Sequence, residues 1–209
     1  PYTPTIGAVI HELDLRQPLD AATQAELRQA LAVHEVLFFR DQHITPQQQV
    51  DFSRRFGPLQ IHVLRQFQLP TQPEVLIISN IVEDGQPIGL GDAGHFWHSD
   101  LSYKEVPSLG SMLHAQELPD EGGDTMFANM HLAWESLPAA LRHAVRGARA
   151  EHSYLSQYEE LRRRNPWRPA LTQAQIDEVK PVTHPVVRVH PETGRRALFV
   201  SEHFTTRIV

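Results

Sequence analysis

Short apolar runs, each closed within a few residues by Gly, Pro or Asp, constrain this chain's fold more than any other sequence feature. Val36-Leu37-Phe38-Phe39 and Val75-Leu76-Ile77-Ile78 are too brief for helices and continuous enough for buried strands. Ser111 to Ala115 and Asp124 to Ala128 read as extended segments on either side of a turn at Pro119-Asp120-Glu121-Gly122-Gly123. Val186 to His190 and Arg196 to Val200 flank Pro191-Glu192-Thr193-Gly194 as a hairpin.

Helical patterns fall between these runs at irregular intervals. Thr23 to Glu35 carries apolar residues on one face, with Thr23 and Glu26 spaced as a capping box. Thr45-Pro46-Gln47-Gln48 is the clearest helix start, with a helix expected to Phe56 and a stop at Gly57-Pro58. Leu132 to Arg146 is helical in pattern, interrupted near Pro138 and closed by Gly147. Ser156 to Asp177 reads as a helical insertion, with a second box at Thr172 and Gln175. Strands and helices do not alternate, which disfavours a doubly wound parallel sheet. The expected architecture is mainly β with helical insertions, a sandwich or jelly roll, in one domain over residues 1–209.

With no cysteine, disulfides, thiolate metal sites and cysteine nucleophiles are all excluded. Any metal must then be held by His, Asp or Glu, a set that suits Fe(II), Mn(II) or Zn(II). A net charge of -6 argues against a general nucleic-acid surface. The basic run Arg162-Arg163-Arg164 is explained by a solvated helix face. No apolar run reaches membrane-spanning length and the start lacks a signal-peptide pattern, so the expected setting is cytoplasmic. The chain starts at Pro1 without an initiator Met and stops in Thr205-Thr206-Arg207-Ile208-Val209, so clipping at both ends is expected.

From Glu83 to Gly94 the chain is rich in Gly, Pro and Asp, a loop leading into Trp97-His98-Ser99-Asp100. If His98 and Asp100 lie in a strand, their side chains leave the same face, as a chelating pair requires. Imidazole plus carboxylate is two thirds of the facial triad of non-haem Fe(II) oxygenases. The spacing alone is weak, because a chain with 13 His produces such a pair by chance. On spacing alone, a histidine capping a turn beside a solvated aspartate is the favoured account.

Other motifs carry less. His190-Pro191-Glu192 falls in the hairpin turn, where backbone geometry is a sufficient explanation. His11-Glu12 and His34-Glu35 lack the second histidine of a zinc helix. There is no phosphate-binding loop and no nucleophile elbow. Gly122-Gly123-Asp124-Thr125 reads as a two-glycine turn, or as a turn that offers the Thr125 hydroxyl to a carboxylate.

Taken in order, several segments resemble the taurine dioxygenase family of Fe(II)- and 2-oxoglutarate-dependent enzymes. They are Phe38-Phe39-Arg40-Asp41-Gln42 with Ile44-Thr45-Pro46-Gln47-Gln48, Arg55-Phe56-Gly57-Pro58-Leu59 and Trp97-His98-Ser99-Asp100. Glu117-Leu118-Pro119 through Thr125, His184-Pro185-Val186-Val187-Arg188 through Val200, and Phe204-Thr205-Thr206-Arg207-Ile208 complete the set, nearly spanning the chain. The resemblance implies a double-stranded β-helix, a cupin-like jelly roll. It implies His98 and Asp100 as iron ligands and Thr125 as a partner of a 2-oxoglutarate carboxylate. His62 and Phe204 match substrate-pocket positions. The activity implied is hydroxylation of a small organic acid with O2, releasing succinate and CO2, by a homo-oligomer without nucleic-acid or membrane partners.

Two departures qualify that reading. The family's second histidine ligand and its 2-oxoglutarate arginine lie in a further C-terminal segment, and the roles do not transfer to His184, His203, Arg188, Arg195 or Arg207. In the substrate pocket, Gly94 stands in place of an asparagine, Arg65 of a tyrosine and Gln157-Tyr158 of a Ser-Phe pair. The taurine contacts are thus partly matched, and a sulfonate, sulfate ester or carboxylate is expected. The competing readings are a non-catalytic jelly-roll binding protein that has lost the metal site and, with little support, a His/Asp zinc hydrolase.

Overall fold

The computed structural model describes residues 1–209. Helix α1 (Ala21–His34) begins earlier than the Thr23–Glu26 spacing predicts, because Asp20 takes the cap and accepts the Thr23 N–H at 2.7 Å. An ionised carboxylate at that place also offsets the helix dipole. The helix stops at Glu35, which adopts φ 67° and returns its N–H to Leu31. The expected strand β2 (Leu37–Phe39) pairs in parallel with β1 (Ala8–Ile10), which has no pattern of its own in the sequence.

Helix α2 (Pro46–Ser53) starts as predicted, with Thr45 and Gln48 exchanging both capping-box bonds. Its regular turns end at Ser53, and tighter hydrogen-bonded turns carry the chain to Gly57. Leu27 of α1, Phe52 of α2, Leu15 and Ile44 form one small core.

Strands β3 (Gln68–Leu69) and β4 (Gln72–Leu76) pair antiparallel. The stretch expected to be loop holds a hairpin, β5 (Val82–Glu83) and β6 (Gln86–Pro87). Asp84 and Gly85 both take positive φ, the requirement of a type I′ turn, and Asp-Gly was the signal for it.

No strand forms at His98, at Ser111–Ala115 or at Asp124–Ala128. Around His98 the backbone closes turns instead, Ser102 N–H to Ser99 O and Lys104 N–H to Leu101 O. In the other two segments the apolar pattern is local, whereas a strand needs a ladder of backbone hydrogen bonds, and neither segment forms one.

Helices α3 (Met130–Glu135) and α4 (Ala139–Ala144) are separated at Pro138, as expected. Strand β7 (Arg149–His152) follows, then α5 (Tyr154–Arg164) and α6 (Gln173–Glu178), the latter capped by the predicted Thr172–Gln175 box. The chain closes with β8 (Val182–Pro185), the hairpin β9 (Val187–Val189) with β10 (Arg196–Leu198), and β11 (Thr205–Ile208). Strand β7 lies between β11 and β8, antiparallel to both, with His152 opposite Val182 and Ala150 opposite His184.

The strands are short and fall into five small sheets, and helices contain more of the chain than strands do. These sheets do not by themselves display the mainly-β jelly roll expected from the sequence. The larger core joins Val63, Leu64, Phe67, Leu90 and Val179 to Tyr103, Tyr154, Tyr158 and Phe204. Tyr154 and Tyr158 are one helical turn apart on α5, so both rings enter the same space. Burial of each is worth about 1.5–3 kcal/mol, by analogy with other large side chains. No helix is long and apolar enough to cross a membrane.

Candidate metal centre

His98 stands on a loop held at separate points. Leu90 N–H bonds to Ile77 O at 2.9 Å, and Gly89 passes so near Ile77 O that a Cβ would lie 2.8 Å away. Past Gly94, at φ 76°, the Phe96 ring stacks on His203 with centroids 5.0 Å apart. The Trp97 N–H reaches Glu202 Oε1 at 3.4 Å.

The His98 ring is oriented by its own loop. Its Nδ1 lies 2.7 Å from Phe96 O, and a carbonyl only accepts, so Nδ1 carries a proton. Nε2 donates to Asp100 in the charged ring and presents its lone pair to a metal once that second proton is lost. Nε2 stands 3.1 Å from Asp100 Oδ1. Two donors at right angles, each about 2.1 Å from one ion, are about 3 Å apart. The pair therefore fits two adjacent coordination positions, reached through a turn at Leu101 (φ 53°) in place of a strand.

Ser111 donates its hydroxyl to the other carboxylate oxygen, Asp100 Oδ2, leaving Oδ1 for the His98 side. The hydrogen bond to His98 lowers the Asp100 pKa, and the same contact raises that of His98. A cation is favoured between them, a proton or a metal. No group of three or more His, Asp or Glu side chains is gathered here or elsewhere in metal-binding array.

Phe204 is brought to the pair, its ring edge-on to His98 at 5.8 Å. It also packs against His203 at 4.5 Å, Tyr103 at 4.9 Å and Tyr154 at 6.3 Å. His62 meets the edge of Tyr154 at 6.1 Å and accepts the Leu64 N–H on Nδ1 at 3.1 Å, which puts its proton on Nε2. Burial pushes the His62 pKa down to about 4, against the pull of the Asp100 carboxylate. His203 is likewise lowered to about 4, by burial and then by His98.

Thr125 is not brought in: it is exposed, and no hydrogen bond joins it to His98 or Asp100. The residues set aside as ligands are engaged elsewhere. His184 bonds Lys104 O, Arg188 lies over Phe199, Arg195 pairs with Glu35 and Glu135, and Arg207 pairs with Glu151. A groove of about 580 Å³ between α1 and the β9–β10 hairpin, lined by Arg28, Glu192 and Arg195, shares no residue with the His98 site.

Four participants were missed from sequence. Ser111 sat within an expected strand, and His203 was weighed only as a ligand. Tyr103 and Tyr154 carry no local signal, because an aromatic wall is recognisable only once distant segments meet.

The model of the taurine catabolism dioxygenase TauD, TfdA family matches residues 1–209. The chain is 34% identical over 214 residues to an alpha-ketoglutarate-dependent 2,4-dichlorophenoxyacetate dioxygenase of Cupriavidus pinatubonensis, covering 97% of this chain and 72% of that one. A taurine dioxygenase from Burkholderia xenovorans is similar in structure, with TM-score 0.75 and 34% identity over 99% of this chain and 64% of that one. The structure of AAD-2 in complex with Mn(II) and N-oxalylglycine gives TM-score 0.71 and 28% identity, over 99% and 69% of the two chains. The chain belongs to the TauD, TfdA family. It is a 2-oxoglutarate-dependent dioxygenase, of a kind that works with a metal and 2-oxoglutarate.

Proposed function

We propose that residues 1–209 act as a jelly-roll catalytic domain that hydroxylates a small organic acid, with His98 and Asp100 as two of the iron ligands. The observation that carries this reading is the 3.1 Å spacing of His98 Nε2 and Asp100 Oδ1, with the outer contacts to Phe96 O and Ser111 already made. Bound Fe(II) with 2-oxoglutarate supplies the O2-dependent oxidation, with succinate and CO2 as coproducts.

The protein's own groups hold and orient the reactants. Phe96 O fixes the His98 tautomer, and Ser111 fixes the Asp100 carboxylate. Thr125 would donate its hydroxyl to a 2-oxoglutarate carboxylate, a role supported by the Gly122–Thr125 resemblance. His62, uncharged at neutral pH with its proton on Nε2, donates to an anionic oxygen of the substrate. Phe204 and Tyr154 supply an apolar wall that excludes water from the substrate's carbon skeleton. An anion with a modest apolar body fits these walls: a sulfonate, a sulfate ester or an aryloxy carboxylate. The names of the relatives, which include a 2,4-dichlorophenoxyacetate and a taurine dioxygenase, support that class.

The test is substrate-dependent succinate release by the full-length protein with Fe(II), O2 and 2-oxoglutarate. The panel is taurine, alkyl sulfates and aryloxyacetates. Succinate formed with one class and lost in His98→Ala is expected; none across the panel would sink the reading. A binding protein without a metal site is not favoured, because the His98–Asp100 pair and its supports are intact.

A further inference from the structure

Asp92–Arg168 is the one ion pair of this chain withdrawn from water, with side chains 8% and 3% exposed. Arg168 Nε donates to Asp92 Oδ2 at 2.7 Å and Nη2 donates to Oδ1, while Asn165 Nδ2 adds a bond to Oδ2 at 2.8 Å. The guanidinium lies over the rings of Tyr158 and Trp167 at 5.1 and 5.3 Å. Replacing such a buried pair by apolar side chains is often neutral or stabilising, so stability alone is a poor reason to keep it. Its place in the chain offers another.

Asp92 lies on the loop that leads to His98. Beyond it Ala93 packs against the larger core, and the backbone then turns through Gly94 before Phe96 meets His203. On the other side, Arg168 sits on Tyr158, Tyr158 stacks on Tyr154 at 5.5 Å, Tyr154 on Phe204 at 6.3 Å, and Phe204 meets His98 at 5.8 Å. Both routes away from Asp92, along the backbone and through the aromatic stack, end on His98.

We propose that Asp92 and Arg168 are positioning residues for the metal ligand His98. The bidentate fork fixes the angle of the loop against α5 as well as its distance, which a lysine at the same place does not do. The pair therefore sets how the His98 ring is presented to the ion. This rests on His98 being a ligand, as proposed above.

The test uses Mn(II) binding to full-length protein, followed by electron paramagnetic resonance, beside thermal melting. A double variant, Asp92→Leu with Arg168→Met, is expected to melt no lower than either single variant. It is also expected to bind Mn(II) at least about tenfold more weakly, with kcat reduced more than KM rises. Arg168→Lys keeps the charge and gives up the fork; it is expected to melt cooperatively and to bind Mn(II) several-fold more weakly. Unchanged Mn(II) affinity in a folded double variant overturns the proposal. Should that variant fail to fold, unchanged affinity in Arg168→Lys overturns it alone. Wild-type protein that binds no Mn(II) overturns the ligand reading of His98 itself, and this inference with it.

Discussion

Asp92 and Asp100 share one loop and are held in opposite ways. Asp92 is buried and takes three hydrogen bonds from Arg168 and Asn165, so its oxygens are committed inside the protein. Asp100 is half exposed; one oxygen takes the Ser111 hydroxyl and the other faces His98 Nε2, which a proton or a metal can bridge to it. The partners differ in kind as well. A guanidinium is charged at any working pH and saturates a carboxylate through two parallel bonds, whereas an imidazole can lose its proton and leave a metal-binding nitrogen. One carboxylate is anchored and the other is left open to chemistry.

Substitutions that exchange these characters test the contrast. His98→Ala is expected to abolish metal binding and turnover while the fold persists, read by metal titration and circular dichroism. Retained affinity would remove the functional half of the comparison. Asp92→Ala leaves the Arg168 charge buried without a partner and is expected to cost about 3–5 kcal/mol in urea unfolding. A loss below about 1 kcal/mol would mean that water reaches the guanidinium.

Ser111→Ala removes one outer contact of Asp100. It is expected to weaken metal affinity by roughly tenfold and to change stability by less than about 0.5 kcal/mol, as at other exposed positions. The reverse pattern would make Ser111 a packing residue. Acid titration gives the smallest and most gradual effect. His62 and His203 have folded pKa values near 4, below the ordinary 6.5, so the unfolded chain binds more protons between those values. Stability should hold above about pH 6.5 and decline as pH falls toward about 4, read from urea midpoints. His62→Leu should flatten that decline; an unchanged slope would assign it to other groups.

What was legible in the sequence was mostly what is decided over one helical turn. The Thr45–Gln48 and Thr172–Gln175 boxes formed as read, because both partners lie within four residues. Thr23 failed as a cap for an equally local reason, since Asp20 supplied the better acceptor one turn earlier. Strands were harder. In β7 the buried positions are Ala150 and His152, and a polar histidine hides the alternation that marks a strand. Ser111 to Ala115 shows the converse, an apolar pattern that enters no ladder.

By itself the sequence determined the chemistry available: a cysteine-free chain limited to nitrogen and oxygen ligands, a His-x-Asp pair, and the ordered segments that mark the family. Tertiary structure decided how that pair is presented. It set His98 and Asp100 together across a turn, supplied Ser111 to one carboxylate oxygen and ran an aromatic stack from His98 to the buried Asp92–Arg168 pair. Donor identity is a property of single residues. Orientation comes from contacts between segments far apart in the chain, which no local pattern encodes.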